Sequence, residues 1–583
     1  MPTLGIDFGT STTRVAIRSE PGLPVALPIG RLAAEFIPSV AALRRGDDGT
    51  LHVVATGEDA LNLSEDANTV ILENLKRCLM YKIRPRDNAL LPDWWDRSAK
   101  VVSALGSAVG AEEIIHAILE EALDRAVRAS RLVGVEVNSV EIRGLPVAVG
   151  CPADAGYDIR AALTDICRNL GLANIGLSDV IDEPGLAAVA FAGLQELGPV
   201  STEPQERRTV LVYDLGGGTF DVALVDLKPG QGPSRLTVLA SASLPFVGGA
   251  DIDEAFLDYL RPRLAAELGL LEDELLAALH PHEKRQLVRA VRTLKEELSF
   301  AENGTLVLPF LGGRDPLMIA VSRQEFEDAL SASGVLARTL ECAKWAYRQA
   351  RMYLNREDDG GFFTWESGEM RSLAKEGLKE MNRHITNLIL IGGSTRIPAI
   401  RREIGSLFPG KVVPDSIVDP ITANALGAAI VRDGYTPLAL DNCGFWIRIE
   451  SGGESTVVHR PFDRYLRYVL GMMPEPKPAY KDDVPTQEGA PSKLKILQPD
   501  GSLHEERDFE TSTDRVSFQF DDLGGISVSE GRHLLVEIES PPWQHESQLL
   551  VLQNRRARLA KIQEEEVRRA VEKVTEPYWK DAR

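Results

Sequence analysis

Asp7, Asp214 and Asp221 stand beside runs of glycine and threonine, and that combination points to phosphate chemistry. The stretch VYDLGGGTFDVALV, Val212 to Val225, sets two of these aspartates around Gly216, Gly217 and Gly218. Its flanks read as β-strands, where glycine costs chain entropy and packs nothing, so three in a row need a reason. A strand–glycine–strand turn brings backbone N–H groups up to a phosphate with no Cβ in the way. Carboxylates beside a phosphate make sense only with a cation, and Mg²⁺, held partly through water, is the fitting ion. Metal and turns together would stabilise the charge that moves in phosphoryl transfer.

The plan occurs twice. IDFGTSTTRVAI (Ile6 to Ile17) and YDLGGGTFDVAL (Tyr213 to Leu224) share an apolar residue, Asp, apolar residue, glycine turn, threonine and second strand. The copies are too far apart for a solenoid repeat. They are expected on two related lobes facing each other across a cleft, where Gly9 to Thr12 and Gly216 to Thr219 would clamp a triphosphate from both sides. A single such turn reads equally well as an ordinary hairpin; the pair carries the phosphate reading.

The elements that must position these turns alternate between strand and helix, which implies α/β layers. TLGIDFG and TTRVAIR read as a hairpin, Glu112 to Leu132 as a long helix and SVEIRGLPVAVGCP as a strand pair. Ile159 to Leu170 and Glu283 to Phe300 read as helices, and ITNLILIGGSTRIPAIRREI as strand, turn and helix. Past Tyr435 the texture changes to short strand candidates: GFWIRIE, KLKILQPDGSLHEERDFE, VSFQF, ISVSE and HLLVEIE. PEPKPAYKDDVPTQEGAP, with prolines 474, 476, 478, 485 and 491, reads as a loop or disordered insert. The chain after Glu546 reads as a charged amphipathic helix.

Composition narrows the partners. The chain has 583 residues, too many for one ordinary domain, and a formal net charge of -21. That charge argues against nucleic acid, whose backbone wants a basic face. No signal peptide and no transmembrane run is read, so no membrane partner is expected. Five scattered cysteines without a C-x-x-C pair suit a reducing cytoplasm. His280 and His282 offer no third ligand for a metal.

Three stretches together resemble the 70-kDa heat-shock (DnaK-type) chaperones, whose ATPase domain has the actin and hexokinase fold. IDFGTSTTRVAI is similar to the family's first phosphate loop, YDLGGGTFDVAL to its second, and LILIGGSTRIPAIRREI (Leu388 to Ile404) to its adenosine signature. The resemblance covers residues 3 to 441 and implies ATP/ADP with Mg²⁺, K⁺ being a further candidate ion. It puts Asp7, Asp214 and Asp221 at the metal site and Lys76, Glu183, Asp214, Thr219 and Asp221 in the hydrolytic machinery. Gly9, Thr10, Ser11, Thr12, Gly216, Gly217, Gly218, Thr219, Gly248 and Gly249 would surround the phosphates. Lys295, Ser299, Gly392, Gly393, Ser394 and Arg396 would surround adenosine. Glu183–Pro184 match a pair that joins the lobes and senses nucleotide, and Pro152 and Arg160 match residues that pass the signal outward. Arg292 and Ile421 depart from the pattern, standing where the family has a ribose-bonding glutamate and an aspartate. LNREDDGGFFTWESGEMRS looks like an insertion.

The resemblance implies an actin-like ATPase domain over 1–435, a hydrophobic linker over 436–441, a reduced β-sandwich-like substrate domain over 442–545 and a short helical lid over 546–583. The implied function is an ATP-dependent chaperone, slow and partner-stimulated, acting on unfolded or specific protein clients with a J-domain co-chaperone and a nucleotide exchange factor. The alternative is a dedicated switch that binds one folded partner without general peptide binding. A small-molecule kinase on the same fold would need a base presented to a hydroxyl, and no such signature is present.

Overall fold

The computed structural model describes residues 2–20, 22–45, 51–63, 69–76, 111–153, 155, 157–176, 179–197, 206–228, 236–244, 247–279, 281–309, 316–351, 376–431, 438–439, 446–459, 480–497, 503–520 and 526–538. The expected C-terminal helix, the insertion before the adenosine motif and His280 lie outside these residues.

Two mixed sheets carry the two glycine turns. In the first, Thr3–Phe8 pairs antiparallel with Thr12–Arg18 and parallel with Val147–Cys151, which pairs parallel with Val180–Asp182. In the second, Arg208–Leu215 pairs antiparallel with Phe220–Leu227 and parallel with Asn387–Ile391. Leu236–Leu244 follows on the other side, and Leu438–Ala439 adds to it in parallel through Thr237 and Val238. The strands of this second hairpin are buried along almost their whole length, as their unbroken apolar runs require.

Two helices of small residues tie the sheets together. Glu183–Leu197 begins directly after the last strand of the first sheet, yet Val189 and Ala192 share a core with Val210, Val212, Ala223 and Val225 of the second. Ala423–Ile430 crosses it and packs on the first sheet, with Ala425 and Ala429 against Ala16. The approach is close because glycine permits it. A Cβ on Gly427 would lie 2.0 Å from the Leu186 carbonyl oxygen, and one on Gly5 would lie 2.2 Å from that of Ala425.

Two readings of the sequence are corrected. SVEIR is not a strand: Ser139–Arg143 is a short helix, capped by Asn138, whose side chain accepts from the Val140 and Glu141 N–H groups while Glu141 reaches back to the Asn138 N–H. This reciprocal cap outweighs the β-branched residues inside it. The proline-rich stretch is not wholly loop. Tyr480–Pro485 is a strand paired with Arg515–Phe520, and Val484 is fully buried. Its prolines fall outside the strand or at its last position, where the ladder tolerates them.

Beyond Leu438–Ala439, the described residues form two four-stranded antiparallel sheets. One holds Glu454–His459, Trp446–Ser451, Ser492–Leu497 and Leu503–Phe509; the other holds Tyr480–Pro485, Arg515–Phe520, Ile526–Glu530 and His533–Ile538. They enclose one core that includes Ile447, Leu494, Val516 and Phe518.

The crossed helices generate a test. Gly427→Val is expected to lower stability by about 3 kcal/mol through overpacking. Gly405, in helix Pro398–Leu407 with nothing within 4 Å of its Cβ position, should accept alanine without loss. Urea unfolding of the two variants checks the contrast.

Candidate functional site

The two glycine turns are built alike. The Gly9 N–H donates to the Thr12 carbonyl at 3.0 Å, and the Gly216 N–H donates to the Thr219 carbonyl at 3.0 Å. They face each other: a Cβ on Gly217 would lie 2.1 Å from Ser11 Oγ. The second turn is fixed from behind. The Gly249 and Ala250 N–H groups, at the start of helix Gly249–Leu268, donate to the Gly216 and Gly217 carbonyls at 2.9 and 2.8 Å, and Ser394 Oγ donates to Gly216 at 3.1 Å. Gly248 lies where a Cβ would meet the Gly218 backbone at 2.7 Å. Gly248 and Gly249 thus shape and support the second turn.

Five ionisable side chains gather under the turns. Asp7, Lys76, Glu183, Asp214 and Asp221 are each no more than 6% exposed. Asp214 and Asp221 are direct cross-strand partners, so their side chains share a face. The Ala153 N–H, from the loop after Val147–Cys151, donates to Asp221 at 3.0 Å, and Ser243 stands directly opposite Asp221 on the neighbouring strand. Asn424 Nδ2 donates to Asp214 at 3.3 Å. Lys76 and Glu183 form a buried ion pair.

The electrostatics show a site short of positive charge. Burial pushes Asp214 up to about 7, with neighbouring Asp221 and Asp7 adding to the rise. Burial also raises Asp221, against the Ala153 hydrogen bond, and Glu183, against the pull of Lys76. For Lys76 burial works downward, but Glu183, Asp7 and Asp221 outweigh it and hold the ammonium above its ordinary value. Among the described residues, no three His, Cys, Asp or Glu side chains are close enough to hold a metal ion by themselves. Asp7, Asp214 and Asp221 are the side chains that could hold a hydrated Mg²⁺ here.

Of the residues expected around adenosine, Gly392, Ser394 and Lys295 lie at the second turn or at Gly249 behind it. Gly392, at φ 84°, is pressed against the second turn, where a Cβ would lie 2.3 Å from the Leu215 carbonyl oxygen. Lys295 Nζ donates to the Gly249 carbonyl at 3.2 Å and pairs with Asp253 at 2.6 Å. Ser299 lies one turn further along the helix, bonded to the Lys295 carbonyl. Arg396 pairs with Asp419 at 2.8 Å. Ile421 Cδ1 sits 3.8 Å from the Cβ position of Gly393.

Three residues that sequence reasoning did not single out also take part. Glu73 accepts from Arg289 at 2.6 Å and pairs with Arg292 at 3.7 Å, joining the chain just before Lys76 to helix Pro281–Leu298. Arg292, which also donates to Asp253 at 3.0 Å, is thereby committed to carboxylates. Arg14 pairs with Asp7 at 3.6 Å. Asn424 holds Asp214 from the crossed helix. The sequence signal for Arg14 was present in the echo of the two hairpins: it occupies the position of Asp221. Arg160 reaches the Ala155 and Val180 carbonyls at 3.0 and 2.6 Å and pairs with Asp182, the residue before Glu183.

A mixed α/β chain with paired glycine hairpins and an adenosine-type glycine turn behind one of them is the pattern of a nucleotide-binding protein. The chain matches the Hsp70 protein family over residues 108–358 and 369–441, more than half its length, and it belongs to that family. That membership implies an actin-like ATPase fold. Among its relatives are chaperone protein DnaK 3 of Synechococcus sp. and chaperone protein dnaK1 of Synechococcus elongatus. Each is 26% identical over 443 residues, covering 73% of this chain and 57% of the relative. The chain thus spans a little over half the length of these curated relatives. No helix among the described residues is long and apolar enough to cross a membrane.

The buried pair yields a prediction. Removing Lys76 leaves Glu183 among like charges, so Lys76→Met should cost about 3 kcal/mol or more near pH 8. A carboxyl raised above its unfolded value binds a proton on folding, so its cost grows as pH rises from the unfolded to the folded value. The wild-type carboxyl is already held up at about 8, and removing Lys76 raises it further, so the loss in Lys76→Met should grow as pH rises from 8 to 9.5. Denaturant titrations of both proteins at the two pH values check this; an equal loss at both would remove the charge argument.

Proposed function

We propose that the chain is an ATP-dependent chaperone-type switch. ATP or ADP binds with Mg²⁺, and K⁺ as a further ion, between two lobes of an actin-like domain spanning 1–435. The observation that carries this reading is the face-to-face approach of the Ser11 and Gly217 turns over a buried carboxylate cluster. Residues 9–12 and 216–219 would clamp the phosphates, with Gly248 and Gly249 behind them. Asp7, Asp214 and Asp221 would hold the metal through its waters. Bound Mg²⁺ would supply neutralisation of the phosphate charge. Lys76, steered by Glu183, would orient the attacking water, and the Thr219 hydroxyl would act beside the γ-phosphate. Lys295, Ser299, Gly392, Gly393, Ser394 and Arg396 would receive adenosine, with Ile421 making that end of the site less polar.

The output runs through the linker, 436–441. Leu438–Ala439 pairs with Thr237–Val238, while Ser243, further along the same strand, stands directly opposite Asp221. A change at Asp221 on nucleotide turnover can thus reach the linker along one strand, with the pairing made in one state and released in the other. Release would alter the grip of the β-rich 442–545 domain on an extended client segment, with 546–583 as a short lid. A J-domain protein and an exchange factor would be the regulatory partners. Buried thiols at Cys151, Cys167 and Cys342, Cys167 pushed up to about 12 by burial, suit a reducing cytoplasm.

The test is single-turnover ATP hydrolysis by the whole chain, with Mg²⁺ and K⁺, with and without an excess of unrelated unfolded peptides. Slow hydrolysis that several peptides accelerate is the expected result. Hydrolysis indifferent to every peptide would replace this reading with the dedicated switch for one folded partner. Bound ATP that is never hydrolysed would leave a nucleotide sensor.

A further inference from the structure

The two hairpins differ at one position that matters for charge. Asp214 faces Asp221 across the second hairpin; in the same register of the first, Asp7 faces Arg14. Strand alternation then fixes where Arg14 points. Thr13, Val15 and Ile17 lie on one face, and Val15 and Ile17 are in the core of the first sheet. Arg14 and Ala16 lie on the other, where Ala16 meets the crossed helix. Arg14 thus shares a face with Asp7, in the same cluster as Asp214.

This arginine is nine-tenths buried but poorly used. Among the described residues its one ion pair, with Asp7, is 3.6 Å long. Its Nε is buried with no hydrogen-bond partner among the described residues. Its guanidinium lies over the Phe36 ring, 5.5 Å from the centroid, which orients the planar fork. A buried guanidinium whose Nε lacks an acceptor among the described residues carries a desolvation cost that a ligand with anionic oxygens would offset.

We propose that Arg14 is a resident cation of the phosphate clamp, donating from the first hairpin to anionic oxygens of the bound nucleotide. This chain would then hold a nucleoside diphosphate with less dependence on a divalent metal than a neutral residue at this position would allow. The inference rests on the nucleotide reading above.

Calorimetric titration of ADP into the whole chain, in Mg²⁺ and in EDTA, tests it. The wild type should keep measurable affinity in EDTA. Arg14→Met, which preserves the length of the stem, should lose about tenfold or more in EDTA, and less in Mg²⁺. Equal losses in both conditions, or none, would overturn the proposal and leave Arg14 as a structural partner of Asp7. A wild type that binds no ADP even with Mg²⁺ would instead overturn the nucleotide reading. If Arg14→Met does not fold, pyrophosphate in EDTA serves as the probe on the wild type. A rise in melting temperature supports the proposal, and no rise overturns it.

Discussion

The constraint on which the site depends is the gap between Ser11 and Gly217, too narrow for even a methyl group on the glycine. Two sheets, each with its own buried core, must meet there to within a van der Waals contact. Much of the surrounding construction serves that meeting. Both turns close with the same Gly-to-Thr hydrogen bond, so each presents the same backbone curve. The start of helix Gly249–Leu268 and Ser394 take up carbonyls of the second turn. The crossed helices, packed through Gly427 and Gly5, set the relation of one sheet to the other.

Charge is the second constraint, and it follows from the first. Bringing the hairpins together buries Asp7, Asp214 and Asp221 beside Glu183, with Lys76 and Arg14 as the nearby cations. Desolvation and mutual repulsion raise the acids, so the site holds more carboxylate than Lys76 and Arg14 neutralise. The same cluster connects outward on two sides. Arg160 clamps Asp182, next to Glu183, and Asp221 stands opposite Ser243 on the strand that pairs with Leu438–Ala439. Glu73, Arg289 and Arg292 add an ionic bridge near Lys76.

The hairpins, the strand–turn–helix around Gly392 and Gly393 and the main helices were legible in the sequence because glycine runs and apolar periodicity are local signals. SVEIR was misread because a five-residue helix held by an Asn138–Glu141 cap has too little length to show its period. Tyr480–Pro485 was misread because prolines around it dominate its composition while only the ladder and Val484 reveal a strand. Glu73 could not be found from sequence, since its partners lie on a helix more than two hundred residues away. Arg14 could have been found by aligning the two hairpins, but its meaning depends on knowing that Asp7 is buried beside it.

The most direct test of the account is ATP binding by Gly217→Val, followed by calorimetry with Mg²⁺ beside the wild type, with circular dichroism to establish that the variant folds. The side chain would occupy the space between the turns, so the account predicts a single saturable site in the wild type and a loss on the order of 100-fold in the variant. A folded variant that binds ATP as the wild type does would contradict the claim that the two glycine turns form the phosphate clamp.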